Sequence, residues 1–125
     1  MNPTDTTFER FTSAIGDKIR EITGLEDVYY ERSRHAGFPR VIYTATVWTN
    51  NDALRGTLTC TISGNTAPSE VDHIAHTLLH ELEGFSCCTE ELTWYLYNCR
   101  SVPLEDSDKS VFIRVFTSEF FVMGD

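Results

Sequence analysis

The sequence predicts an α+β domain in which two helices pack on a mainly antiparallel sheet of about five strands. Apolar residues recur at steps of three and four in two segments, and they alternate with polar residues in the segments between. Each helix therefore has one apolar stripe and each strand one face to bury, and a two-layer arrangement buries both. The 125 residues contain no internal repeat or linker, so we expect a single domain over residues 1–125.

The first predicted helix lies in TDTTFERFTSAIGDKIREITG. Its apolar stripe consists of Phe8, Phe11, Ile15, Ile19 and Ile22. Asp5 or a neighbouring threonine is the candidate N-cap, because a short polar side chain can accept a hydrogen bond from an unpaired backbone N–H of the first turn. Gly24 is the expected C-terminal stop. The single stripe predicts that this helix covers part of the sheet.

After Gly24 the apolar period changes to two. A short strand is predicted at 28–31, and RVIYTATVW follows the polar loop RSRHAGFP. TNND supplies turn residues, and LRGTLTCTI then alternates apolar residues with arginine and threonine. The two segments predict a hairpin whose second strand has one buried and one solvated face.

The segment SEVDHIAHTLLHELEGF predicts the second helix. Pro68 lies near its first turn and Gly84 at its end, and Thr66 or Ser69 is the candidate N-cap. The apolar residues of one side are Val71, Ile74, Ala75, Leu78, Leu79 and Leu82. This stripe predicts that the second helix, like the first, buries one side against the sheet.

Three of the four histidines, His73, His76 and His80, lie almost opposite that stripe on a wheel of about 100° per residue. His76 and His80 have the i, i+4 spacing of helical zinc sites, but Thr77 stands where the HExxH pattern requires glutamate. A solvent-facing helix surface is the favoured interpretation, and a contact with another subunit is the alternative. We predict no metal site.

Two further strands are predicted after the second helix, LTWYLYNCR and SVFIRVFTSEFFVM, joined by the acidic connection SVPLEDSDK. The final strand is apolar on both sides. One side has Val111, Ile113 and Val115, and the other has Phe112, Phe116, Phe120 and Val122. In a small monomer one side should be polar, so the pattern indicates either a subunit interface or a central strand covered on both faces.

The composition limits the possible partners. Ten Lys and Arg residues against 19 Asp and Glu give a formal net charge of −9, which opposes the phosphate neutralisation of nucleic-acid binding. No apolar run approaches the roughly 18 residues of a membrane span, and the N-terminus does not resemble a signal peptide. We therefore expect a soluble intracellular protein without membrane contact, whose four cysteines are reduced thiols.

Sequence motifs of catalysis are not found. The chain has no GxxxxGK[ST], GxGxxG or GxSxG motif, and Cys87 and Cys88 are adjacent instead of spaced as CxxC. Cys60 and Cys99 fall in predicted strands, where core thiols are the favoured interpretation. We predict a protein that is not an enzyme, with no catalytic residue and no cofactor. A small metal-binding domain or thiol enzyme is the alternative.

Several phrases in chain order carry a family resemblance. They are ITGLEDVYY, FPRVIYTATVW, LTCTISGN, LHELEGF and NCRSVPLEDSDKSVFIRVFTSEFFV, which together run over nearly the whole chain. In these phrases the chain resembles the tail terminator, or tail completion, proteins of tailed bacteriophages. The resemblance implies a small α+β subunit that assembles as a hexameric ring at the head-proximal end of the tail tube, with no enzymatic activity and no cofactor.

The same resemblance implies a place in the virion, after assembly in the host cytoplasm. The ring would stop polymerisation of the tail tube protein and offer a surface to the neck or head-completion protein. DNA would pass through its lumen without specific binding. A head-completion or neck connector protein and a tail assembly chaperone are the alternative functions.

The last phrase supplies the candidate subunit-interface residues. They are Arg100, Glu105, Asp106, Arg114 and Phe116. The sheet edges and the loops RSRHAGFP and SVPLEDSDK are further candidate contacts with neighbours. If Arg114 contacts a neighbouring subunit, the Arg114→Glu substitution is expected to weaken assembly more than folding.

Overall fold

The computed structural model describes residues 3–31, 37–49, 53–104 and 110–124. Its elements, in chain order, are α1 (Pro3–Thr23), β1 (Val28–Tyr30), β2 (Arg40–Thr49), β3 (Leu54–Gly64), α2 (Pro68–Leu82), β4 (Ser86–Cys88), β5 (Leu92–Leu104) and β6 (Phe112–Gly124). The six strands form one curled sheet in the order β1-β2-β3-β6-β5-β4. The predicted α+β class is confirmed.

The prediction of about five mainly antiparallel strands is wrong in two details. The sheet is mixed, because β1 runs parallel to β2 while the other neighbours are antiparallel. The sixth strand is β4, which has only three residues, too few for an alternating pattern to be recognised. The predicted acidic connection also begins later, because β5 continues to Leu104 as it pairs with β6.

Glycine ends both helices, as predicted. Gly24 and Gly84 have φ values of 71° and 73°, the left-handed conformation that glycine adopts without steric cost. The prediction for the start of α2 is wrong, because Ala67 is the N-cap residue and has no capping side chain. Pro68 at the first helical position supplies the φ angle that the turn needs and has no N–H to satisfy.

Both helices pack on one side of the sheet and enclose the core there. Its largest fully buried side chains include Phe11 of α1, Leu78 of α2, and Phe116 and Phe120 of β6. The Phe11 and Phe120 rings lie 4.7 Å apart between centres. We call this side of the sheet the helix-covered face, and the opposite side, with the alternate residues of β2, β3, β5 and β6, the uncovered face.

Gly56 of β3 shows how closely neighbouring strands and their side chains pack on the helix-covered face. A Cβ atom at this position would lie 1.9 Å from the backbone carbonyl oxygen of Thr46 and 2.7 Å from the Phe120 ring. Only glycine therefore fits between β2 and the central phenylalanine. The alternation predicted for β3 is confirmed, since Leu58 and Cys60 are buried while the intervening threonines are partly exposed.

Candidate subunit interface

Exposed apolar side chains are concentrated on the uncovered face. In the described part of the chain, the large apolar residues that are exposed are Trp48 (54%), Tyr95 (37%), Val102 (50%), Leu104 (51%) and Met123 (43%). All five project from the uncovered face, as their alternation with buried neighbours and their strand register show. A small protein rarely collects its exposed apolar residues on one surface without a partner for it.

The apolar residues occupy two ends of this face. At one end Val102 pairs with Val115, and Leu104 pairs with Ile113, across the β5–β6 ladder. At the other end the ring of Tyr95 stacks on that of Phe121, with 5.0 Å between the ring centres.

Between these two apolar ends runs a belt of threonines that crosses three strands. The belt consists of Thr44, Thr46, Thr57, Thr59 and Thr117. A groove of about 540 Å³ lies here, bordered by Trp48 on one side and by Asn98 and Arg100 on the other. The uncovered face therefore combines two apolar ends with a polar, hydrogen-bonding middle, the mixture found in protein–protein interfaces.

A β-bulge at Asn98 decides which β5 side chains reach this face. Asn98 has a φ of 53°, in the left-handed region that asparagine tolerates better than most residues. The register with β6 shifts between Tyr97 and Arg100. Because one extra residue reverses the alternation, Arg100, Val102 and Leu104 lie on the uncovered face.

Side chains on both faces hold the bulge. The Asn98 side-chain amide donates a hydrogen bond to the Glu119 carboxylate on the uncovered face. The backbone N–H of Cys99 donates to the Glu83 carboxylate at 2.8 Å, and the Cys99 thiol contacts the Ser118 hydroxyl at 3.2 Å. Hydrogen bonds from the side chain and backbone of Cys99 lower the pKa of Glu83, which keeps this carboxylate charged at the bulge.

The structure separates the predicted interface residues. Arg100 is exposed on the uncovered face, where its Nε lies 3.3 Å from the Thr117 hydroxyl. Glu105 and Asp106 lie outside the described residues. Phe116 requires a correction: its side chain is fully buried in the core, so this position cannot contact a neighbour in the folded chain.

Arg114 lies on the helix-covered face of β6. Its Nε donates to the Asp72 carboxylate of α2 at 2.6 Å, and its Nη1 donates to the Ile113 carbonyl at 2.9 Å. The side chain is only 18% exposed. Most of its surface thus contacts its own subunit, and the expectation that Arg114→Glu acts mainly on assembly needs revision.

Trp48, Val102 and Leu104 of the uncovered face are not among the predicted interface residues, although Val102 and Leu104 lie in the segment SVPLEDSDK, which was predicted as a candidate contact. Trp48 was recognisable from the apolar second side of RVIYTATVW. The segment SVPLEDSDK was predicted as an acidic connection, but Val102 and Leu104 belong to β5, with Pro103 between them. The proline is tolerated because this part of β5 pairs with β6 on one side, while β4 pairs with Thr93–Tyr95, earlier in the strand.

The histidines of α2 face outward, as predicted. His73, His76 and His80 are exposed, while five residues of the opposite stripe are buried. Within the described ranges, no three His, Cys, Asp or Glu side chains are arranged to hold a metal ion. Whether these histidines meet a neighbour stays a prediction.

The four cysteines are free thiols in different surroundings. Cys60 is buried in the core and Cys88 is exposed. Burial, reinforced by the adjacent Glu83 carboxylate, raises the pKa of Cys99 to about 12. Burial also raises the pKa of Cys60. A thiol is nucleophilic as its thiolate, so neither environment activates sulfur.

Alkylation of the folded protein at pH 8 is therefore expected to modify Cys88 and to spare Cys60 and Cys99. A rise in the pKa of Cys99 from 9.0 to about 12 lowers its thiolate fraction about 1000-fold at this pH. Peptide mapping by mass spectrometry after a timed iodoacetamide pulse measures this, with urea-unfolded protein as the control in which all four react. Labelling of Cys99 as fast as Cys88 would show that its thiol is activated.

The comparisons with known proteins establish the fold alone. The sequence matches no family model and no curated protein. Several solved chains are similar; one of them has a TM-score of 0.66 and 9% identity, the match covers 98% of this chain and 95% of the other, and the name of that other chain states no activity or partner. The arrangement of two helices on a curled sheet is thus shared with a solved protein, while the function must be argued from the surface.

No helix in the described part of the chain is both long enough and apolar enough to cross a membrane.

Proposed function

We propose that this protein is a structural subunit that forms a ring, expected to be hexameric, at the head-proximal end of a phage tail tube. The ring ends tube polymerisation and joins the tail to the neck or head-completion protein. Its place in the tail rests on the sequence resemblance to tail terminator proteins. Its assembly into a larger structure rests on the surface of the folded domain.

The observation that carries the proposal is the collection of exposed apolar side chains on one sheet face. Trp48, Val102 and Leu104 are each about half exposed and border the two outer parts of the sheet, on strands β2 and β5. A ring subunit needs two different contact surfaces, one for each neighbour, because head-to-tail association is what closes a ring. Apolar residues at opposite margins of the same sheet suit that requirement.

The net charge of −9 is compatible with a lumen that DNA traverses. A basic wall would retain the phosphate backbone through counterion release, and an acidic one repels it. An acidic ring would therefore let DNA pass without binding it, and no DNA-specific contact is expected.

Native mass spectrometry and negative-stain imaging of the full chain, alone and with tail tube protein, test the proposal. Rings are expected, and the protein is expected in purified virions at the head-proximal end of the tail. A stable monomer at high concentration, with no ring even beside tube protein, would contradict the proposal. Rings absent from purified virions would instead indicate an assembly chaperone.

The substitution Leu104→Asp is expected to lower the ring fraction at least about tenfold, since burying an unpaired carboxylate in an apolar contact costs more than 1.4 kcal/mol. Leu104 is 51% exposed, so its replacement should leave the free energy of unfolding nearly unchanged. Ser13→Asp, on the exposed side of α1, is the matched control. Equal ring fractions for the two variants would exclude Leu104 from the contact.

A further inference from the structure

The two margins of the sheet are each covered along only part of their length. On one side, β1 pairs with Val41–Tyr43 of β2, and on the other, β4 pairs with Thr93–Tyr95 of β5. Within the described ranges, no strand pairs with the outer side of 44–49 in β2 or of 97–104 in β5. We call these segments the β2 free edge and the β5 free edge. Unpaired strand edges are sites where another chain can add a strand.

On the β2 free edge, one residue presents both backbone groups without a partner among the described residues. The N–H of Val41 donates to the backbone carbonyl of Asp27, and the carbonyl of Tyr43 accepts from the backbone N–H of Glu31. The backbone N–H and carbonyl groups of the odd-numbered β2 residues therefore point toward this edge. The Tyr30 hydroxyl contacts the backbone N–H of Ala45. Val47 is the next outward residue, and none of the described residues bonds its N–H or carbonyl.

On the β5 free edge, too, neighbouring groups limit which backbone groups can pair with another strand. The outward N–H of Cys99 is bonded to the Glu83 carboxylate. Alternation then directs Ser101 and Pro103 outward, and proline has no N–H to donate. Ser101 is thus the residue of this edge whose N–H and carbonyl are both without a partner among the described residues. Glu83 and Pro103 protect the edge on either side of it.

We propose that the β5 free edge of one copy pairs with the β2 free edge of the next, antiparallel, with Ser101 opposite Val47. This pairing deepens the proposed function and rests on the head-to-tail association that a ring requires. Within one sheet β2 and β5 run in opposite directions, so copies related by rotation about the ring axis bring them together antiparallel. Ser101 and Val47 then exchange both backbone hydrogen bonds.

The lengths of the two free edges agree with this register. When Ser101 faces Val47, the β5 free edge lies along β2 from Thr44 onward. The neighbour's β1 is then beyond the end of β5 at Leu104, and β4 is beyond the end of the neighbour's β2 at Thr49. The short edge strands lie at opposite ends of the sheet, so the backbone of neither strand overlaps the paired segments.

The register also covers the exposed side chains beside both edges. On the uncovered face, Val102 lies opposite Thr46 of the neighbour, and Arg100 lies beside its Trp48. Val102 and Trp48 are 50% and 54% exposed in the isolated chain. A guanidinium against an indole ring adds a cation–π contact to the buried area.

Disulfide trapping tests the pairing in the full chain with the exposed Cys88 replaced by serine. The Thr46→Cys/Val102→Cys variant puts one cysteine on each free edge at directly opposed positions. Their Cα atoms would be about 4.5 Å apart, within the range a disulfide spans. Thr46→Cys/Leu104→Cys is the matched control, because Leu104 is equally exposed on the same face but two residues away, at a separation of about 7–8 Å.

Intermolecular cross-linking on oxidation is expected at least about fivefold faster in the first variant than in the control, measured on non-reducing gels. Rings in which the two variants cross-link equally, or not at all, would overturn the edge pairing and leave the proposed function standing. Faster cross-linking of the first variant than of the control, but into open chains of subunits, would support the pairing and count against a closed ring. A monomer without cross-links, even beside tube protein, would contradict both proposals.

Discussion

Replacing Phe116 with alanine is expected to lower the free energy of unfolding by about 3–5 kcal/mol. Phe116 is fully buried at the centre of the sheet, between Cys60 of β3 and Ser101 of β5 in the strand register. Removing its ring leaves a cavity under the helices, and the neighbouring strands can close it only in part. Urea unfolding followed by circular dichroism measures the change, with a shifted midpoint and an unchanged slope expected.

The Phe121→Ala substitution is the control for this prediction. Phe121 belongs to the same strand but lies on the uncovered face, half-buried beneath Tyr95 and Arg55. Its loss is expected to cost about 1–2 kcal/mol, mostly from the stacked pair. If Phe116→Ala destabilised the protein no more than Phe121→Ala, the placement of Phe116 in the core would be wrong.

The Arg114→Glu substitution is expected to cost about 2–3 kcal/mol of folding stability before any effect on assembly. Arg114 is 18% exposed and donates to the half-exposed Asp72 at 2.6 Å, so the variant would put two carboxylates beside each other in a partly desolvated position. Solvent at Asp72 screens the repulsion, which keeps the cost below that of a fully buried pair. Urea unfolding at a protein concentration too low for rings to form measures the change in the free energy of unfolding of the single chain, without any contribution from assembly.

Two control variants complete that experiment: Arg100→Glu, and a double variant in which the charges of Arg114 and Asp72 are exchanged. Arg100 is exposed, so its substitution is expected to change the free energy of unfolding by less than about 0.5 kcal/mol. The double variant Arg114→Glu/Asp72→Arg restores opposite charges and should recover part of the lost stability. A stable Arg114→Glu variant that fails to form rings would show that Arg114 contacts a neighbouring subunit. It would contradict a role of Arg114 in folding through its ion pair with Asp72.

Local periodicity predicted a large part of the fold because it indicates which side of a helix or strand is buried away from water. The stripes of both helices, the buried side of β3 and the two apolar sides of β6 agree with the predicted patterns. The outward histidines follow from the same geometry. None of these features depends on knowing which element lies next to which.

The candidate interface was less predictable, because its residues depend on contacts between distant segments. Phe116 and Arg114 were chosen for their place in a family-like phrase, but both belong to the helix-covered face of β6. Val102 and Leu104 lie in a segment predicted as an acidic connection, so their place on a strand was not recognised. Their exposure becomes evident only when this part of β5 is seen to pair with β6 on one side and, among the described residues, with no strand on the other.

The sequence by itself determined the two helices and their glycine stops, the α+β class, and the face of β3 that meets the core. These features are local, since a period of 2 or 3.6 residues specifies them without reference to a partner. The tertiary structure decided the parallel pairing of β1, the addition of β4, and the bulge at Asn98 that turns Val102 and Leu104 to the uncovered face. These features depend on backbone hydrogen bonds to residues far along the chain. The free edges are the parts of β2 and β5 that lie beyond the hydrogen bonds to β1 and β4.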